Sequence, residues 1–198
     1  MKKNNLISAK AITLVVLICV LSACKKNSKD VAQPVNPNDQ ELITTLTLGV
    51  SSPSTPNNVQ YFSYRDLDGS GGNPPKIDTI RLLQNTTYNV QLLVLDETKS
   101  PTDTTSKVIY KERDIHQFFF SKEGSYDLTT TYLDSDDNGV PVGLKISINT
   151  GSAFTIKTNK YKVVLKHQPG LKPTSGKGDV NLGETDVEVS FPITILVQ

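Results

Sequence analysis

From Glu41 onward, apolar and polar residues alternate in short runs that are separated by turn residues. Nine runs read as β-strands: LITTLTLGV (42–50), NVQYFSYRD (58–66), IDTIRLL (77–83), YNVQLLVLD (88–96), QFFFS (117–121), YDLTTTYLD (126–134), GLKISINT (143–150), YKVVLKH (161–167) and TDVEVSFPITILV (185–197). Thr, Val, Ile, Tyr and Phe dominate them, and several alternate with the period of two that sends successive side chains to opposite faces. Gly, Pro, Asn and Asp fill the gaps, where the backbone must turn tightly. Only KVIYKER (107–113) suggests a short helix. Pro192, inside the last run, predicts an edge or a bulge, because proline has no N–H for the ladder. The pattern predicts one all-β domain over residues 41–198, a single antiparallel β-sandwich (Ig-like or jelly-roll-like) or a flattened barrel of about 8–9 strands.

The first forty residues follow another pattern. Lys2, Lys3 and Lys10 flank the start of an apolar run, AITLVVLICVL (11–21). It is shorter than the roughly 20 residues a membrane-spanning helix needs, and it fits the core of a secretory signal peptide. The run ends in LSAC (21–24), which resembles the lipobox of bacterial lipoproteins. Residues 1–23 are therefore expected to be a lipoprotein signal peptide, with Cys24 as the lipidated first residue and membrane anchor. Residues 24–40 then form Cys24 and a flexible tether, poor in apolar side chains and interrupted by two prolines. Lys25 and Lys26, in place of acids, point to the periplasm-facing side of an outer membrane rather than the cell surface.

Both cysteines of the chain, Cys19 and Cys24, fall in this leader. The mature chain thus has no thiol for a disulfide, a zinc knuckle or a nucleophile. Three of the 21 basic residues leave with the signal and none of the 20 acidic ones, so the formal charge moves from +1 to about −2. No basic stripe remains, and nucleic acid is not an expected partner. Neither GxSxG nor HExxH occurs, and no catalytic residue is nominated, so the expectation is a binding protein and not an enzyme. Glu184 and Asp186 are two carboxylates on one strand face, a pattern that a solvated edge also gives.

The two histidines carry the first candidate site. Each precedes a glutamine, in DIHQFFF (114–120) and LKHQPG (165–170). In extended backbone, residues i and i+2 share a face about 6.5–7 Å apart. Asp114 and His116 would then point together and continue the face of Phe118 and Phe120, while His167 continues that of Val163 and Leu165. If the two strands are neighbours, Asp114, His116 and His167 meet at the mouth of the sandwich, a donor set that suits zinc or copper. The alternative is a pair of ordinary rim histidines. Phe119 must face away from its neighbours, toward a second layer, a covering loop, a partner or water.

Two acidic loops carry the second candidate, a calcium site. Asp134, Asp136 and Asn138 precede Gly139, and Asp66, Asp68 and Ser70 precede Gly71, which places oxygen ligands at positions 1, 3 and 5 of an EF-hand-like loop. Position 12 is Lys145 in one and Ile77 in the other, where an EF-hand needs Glu, so neither is an EF-hand. A partial calcium site and a plain hairpin turn both remain open. GLKPTSGKGD (170–179) has neither the spacing nor the context of a phosphate loop and reads as a flexible loop.

The order ELITTLTL, FSYRDLDGSGG, LLQNTTYNVQLLVLDET, HQFFF, YLDSDDNGVPVGL, LKHQPGLKP and GETDVEVSFPITI covers nearly all of residues 41–198. It resembles a family of small lipoproteins from Bacteroidota-type bacteria, often labelled type 1 periplasmic-binding-fold superfamily proteins. A periplasmic-binding fold alternates strands with long helices, whereas these residues spell strands almost throughout, so the fold expectation stays all-β. The resemblance implies an outer-membrane lipoprotein beside a TonB-dependent receptor or uptake system, and it carries over no activity. Two functions follow as expectations: a metal- or small-ligand-binding accessory of uptake, or a structural, adhesion-like sandwich with calcium-stabilised loops.

Overall fold

Leu46, Leu48 and Val50 alternate with threonine and glycine along β1 (Thr45–Ser52), and all three are buried. The same rule builds β5 (Thr87–Leu95) on Tyr88, Val90, Leu92 and Val94, and β8 (Lys145–Thr150) on Ile146 and Ile148. Antiparallel registry sets Leu48 opposite Leu92 and Val90 opposite Ile146, so the apolar rows of adjacent strands fuse into one face. With β2 (Thr55–Arg65), β3 (Lys76–Ile77) and β7 (Leu128–Tyr132) they form a six-stranded sheet in the order β3-β2-β1-β5-β8-β7.

A second sheet supplies the opposing layer. It contains β4 (Ile80–Leu83), β6 (His116–Glu123), β9 (Lys160–His167) and β10 (Glu184–Leu196), ordered β4-β10-β9-β6. Val187, Val189, Phe191, Ile193 and Ile195 alternate inward along β10, and Tyr161, Val163 and Leu165 do so along β9. Leu46, Leu48, Phe118, Phe191 and Ile146 meet in one core between the sheets, which makes the fold an all-β sandwich. The computed structural model describes residues 41–69, 71–154 and 158–197. They all belong to the unit Asn36–Gln198. The expected signal peptide, Cys24, the tether and Ser70 lie outside the described residues. Among those described, no helix is long and apolar enough to cross a membrane.

Three details differ from the sequence reading. The run at 77–83 is divided between sheets: β3 pairs with β2, whereas β4 pairs with β10. That second pairing is parallel, with Ile80 opposite Ile193, so the smaller sheet is mixed and not purely antiparallel. Pro192 sits where β10 ends its pairing with β9, opposite Lys160, and takes up β4 from Ile193 onward. A residue without an N–H is tolerated at this exchange of partners. The helix, α1 (Thr105–Lys111), begins two residues earlier than the sequence suggests and sinks Ile109 into the core.

Phe119 is half-buried on the outer face of the smaller sheet, and the loop around Gly178 covers it. A Cβ at Gly178 would overlap Gln117 Oε1 and stand 3.1 Å from Phe119 Cζ, so only glycine lets the loop lie this close. Gln168 holds the same loop by donating from Nε2 to the carbonyls of Asp179 (2.7 Å) and Leu182 (3.0 Å). Both glutamines of the HQ pairs thus serve the outer loop, away from the histidines. Gly178→Val is expected to lower stability by about 1–3 kcal/mol, the range for overpacking, read from the urea midpoint. An unchanged midpoint would show that the loop does not rest there.

Candidate metal centre

The apolar row of β6 and that of β9 end together, and His116 pairs directly with His167 across the ladder. Both side chains face inward because they continue the core positions Phe118 and Leu165, which are opposite one another two pairs further along. They are almost fully buried, and their rings stack with centroids 4.7 Å apart and planes 16° apart. The sequence reading requires this meeting of distant histidines, and the strand order β9-β6 provides it.

The segment before His116 is a turn and not a strand. Helix α1 ends at Lys111, and the Glu112 carbonyl accepts from the backbone N–H groups of Ile115 (3.1 Å) and His116 (3.2 Å). It also lies 3.0 Å from His116 Nδ1. A carbonyl only accepts, so Nδ1 carries the proton and Nε2 presents its lone pair. Burial pushes the His116 pKa down to about 4, and His167 and Lys172 act in the same direction. The imidazole is therefore neutral at pH 7. This is the arrangement of a metal-binding histidine: one ring nitrogen donates to a carbonyl while the other is free to ligate.

Asp186 supplies the opposing group. The pairing of β10 with β9 slips by one residue between Thr185 and Val187, leaving Asp186 as the extra residue of a bulge. A bulge re-aims a side chain, and here the Asp186 side chain has 0% exposure while Glu184, on the regular strand, is exposed. Its Oδ2 lies 3.7 Å from His116 Nε2. That is too long for a hydrogen bond, and with a neutral ring it is not an ion pair. Two ligands of one zinc ion, each at about 2.0–2.2 Å in tetrahedral geometry, stand roughly 3.3–3.5 Å apart. The observed gap is close to that value.

Glu41 and Glu112 complete the group. Their carboxylates and a His116 ring nitrogen lie within 4.8 Å of one another. Burial and the neighbouring Glu112 raise the Glu41 pKa. Burial, then Glu41 and Glu184, push Asp186 up to about 7. Among the described residues neither Asp186 oxygen nor His116 Nε2 has a well-formed hydrogen bond, although the Glu41 backbone N–H offsets part of the Asp186 shift. The His116 imidazole thus has Glu41 and Glu112 near one ring nitrogen and Asp186 3.7 Å from Nε2, donor types that suit a divalent cation.

The raised Asp186 pKa has a definite sign in stability. Between its unfolded value of 3.8 and its folded value of about 7, the folded chain holds a proton that the unfolded chain has released. Metal-free wild type thus loses stability from this group as pH rises through that window. The metal-free Asp186→Asn variant lacks the effect, so its stability relative to wild type should climb with pH, by up to about 1.4 kcal/mol per unit. Urea melts at pH 4, 5, 6 and 7 check this. A constant difference would mean that the carboxyl titrates normally.

Asp114 is placed differently from the expectation, whereas His167 meets His116 as expected. Asp114 is exposed in the turn before β6, so the i, i+2 relation of a strand does not apply and it lies apart from the carboxylate group. His167 meets His116 face to face, and parallel rings cannot both direct an in-plane lone pair at one ion. It packs against the His116 ring instead. The sequence reading does not place Glu41, Glu112 or Asp186 beside His116. The Glu112–His116 spacing of four, one helical turn, is the signal that could have suggested Glu112.

The acidic loops form two separate structures. Asp134 accepts from the backbone N–H groups of Gly143 (2.7 Å) and Lys145 (3.0 Å). Asp136 accepts from those of Asn138 and Val140, both at 2.9 Å, and its other oxygen pairs with the Lys172 ammonium at 3.0 Å. Asn138 itself is exposed. These carboxylates serve the backbone of their own turn and a buried lysine. In the other loop, Asp66 accepts from the Gly69 N–H, and Asp68 accepts from the Asn73 N–H and side-chain amide. Asp66 and Asp68 face a cleft of about 690 Å³ whose wall also contains Glu41 and Asp186. No protein-family model, no curated protein and no solved structure matches the chain.

Proposed function

We propose that this protein is a lipid-anchored cell-envelope protein that binds a zinc-class divalent cation at one end of its β-sandwich, as an accessory of an outer-membrane uptake system. The observation that supports this reading is the neutral, buried His116, whose Nε2 lone pair faces the Asp186 carboxylate at 3.7 Å without a partner among the described residues. Glu41 and Glu112 supply the remaining oxygen donors. The role in this reading is capture of the cation. The anchor and the envelope location follow from the LSAC sequence and the family resemblance.

The test is equilibrium dialysis of the purified protein against zinc, with chelator competition for the affinity. One equivalent is expected, and Glu112→Gln should weaken binding at least tenfold, the scale of losing a ligand or its support. Glu112 is only half-buried, so its amide variant is expected to keep the fold. Less than a tenth of an equivalent in wild type would remove the metal reading.

A further inference from the structure

The cleft above the centre is built for more than an ion. Its lining contains Glu41, Asp66, Asp68, Asp186 and Glu188 and no basic residue, with Glu188 paired to Lys162 at 2.7 Å. Between the acids stand Leu42 and Leu67, 59% and 46% exposed, together with Val187 and Tyr64. An ion with six waters fills roughly 200 Å³ at about 30 Å³ per water, whereas the cleft offers about 690 Å³. A hydrated ion also has no use for exposed leucines. An acidic wall interleaved with apolar surface suits a group with a charged head and a hydrocarbon stem.

The acids alone would prove little, but Asp186 adds an independent sign. Its side chain is fully buried in the cleft wall, and both of its oxygens lack a well-formed partner. Asp66 and Asp68 are held at the rim by the amides of Gly69 and Asn73, so their charge is fixed in position before any ligand arrives.

We propose that this cleft binds an organic cation, an alkylammonium or guanidinium head on an apolar stem, either free as a small amine or carried by the lysine or arginine side chains of a basic peptide. The proposal goes beyond the metal reading: it shares Asp186 with that reading, and Asp66 and Asp68 lie outside the metal-ligand group. The cation head meets the acids while the stem lies along Leu42 and Leu67.

The test follows backbone NMR shifts of the purified protein while 1,5-diaminopentane or acetyl-Lys-Lys-Lys-amide is added, with pentane-1,5-diol as the neutral control. Either cation should shift the Leu67, Gly69 and Val187 amides. The first acting alone marks a small-amine site, and the second binding tighter marks a peptide partner. The D66N/D68N/E188Q variant should weaken binding at least tenfold while keeping a dispersed spectrum. No shift up to about 10 mM, weaker than any useful affinity, overturns the proposal, as do shifts that the triple variant or the neutral diol reproduces equally. Repeating the titration on Glu112→Gln separates the two readings: amine binding retained with zinc binding weakened supports both. Zinc binding by wild type without amine binding defeats this proposal alone.

Discussion

Lys172→Met should cost the fold about 3–5 kcal/mol, the penalty for leaving one partner of a buried ion pair alone. Lys172 and Asp136 have side chains only 1% exposed, and their charged atoms are 3.0 Å apart. Burial pulls the lysine pKa down, and the adjacent Asp136 carboxylate opposes that pull. Burial pushes Asp136 up, but the Val140 N–H and the Lys172 ammonium outweigh it and hold the pKa below the usual value. The ammonium also donates to the carbonyls of Arg113 (2.5 Å) and His116 (3.0 Å). One cation therefore ties the 134–140 loop, the turn after α1 and the 168–172 turn together beside His116. Methionine fills the space of the stem but leaves Asp136 charged and two carbonyls without a donor. The double variant Lys172→Met with Asp136→Leu should recover part of the loss, since removing both charges is far cheaper than removing one. It should not recover all, because the carbonyls stay unpaired. Urea unfolding of the three variants reads this; a single variant within about 1 kcal/mol of wild type would show that the ammonium is replaceable.

The second large effect is on metal affinity. Asp186→Asn should weaken zinc binding by about a hundredfold, roughly 2.7 kcal/mol, through loss of an ionised oxygen ligand. The pH dependence distinguishes this from a general disturbance. Zinc must displace the proton that Asp186 holds up to about pH 7. His116 titrates only near pH 4, so it contributes nothing in the neutral range. Wild-type affinity should fall about tenfold per unit below pH 7, and in Asp186→Asn this slope should flatten between pH 5.5 and 7. A slope that survives the substitution would assign the displaced proton to another group.

Much of the sandwich was legible because its strands obey one simple rule. In TDVEVSFPITI the inward residues alternate without a break from Val187 to Ile195, and period two is a local property that needs no knowledge of partners. Pairing is not local. Nothing in IDTIRLL says that Ile77 joins one sheet and Ile80 the other, or that Ile80 runs parallel to Ile193. The histidine meeting had the same standing: faces and strand ends could be read, and the adjacency of β6 and β9 could not. Asp186 escaped for a different reason. Strict alternation places Glu184 and Asp186 on one face, whereas the one-residue slip at Thr185–Val187 puts Asp186 inside and leaves Glu184 outside. A bulge breaks the very rule by which the strand was found. Asp114 was misplaced because extended geometry was carried back into residues 112–115, which the end of α1 makes a turn.

The central claim is that a single imidazole, from His116, binds a metal together with carboxylates, and X-ray absorption at the zinc edge of the zinc-loaded protein tests it most directly. The account predicts a first shell of nitrogen and oxygen at about 2.0–2.1 Å, no sulfur, and outer-shell scattering from one imidazole that disappears in His116→Gln. Scattering from two imidazoles, or a shell unchanged by that substitution, would contradict it.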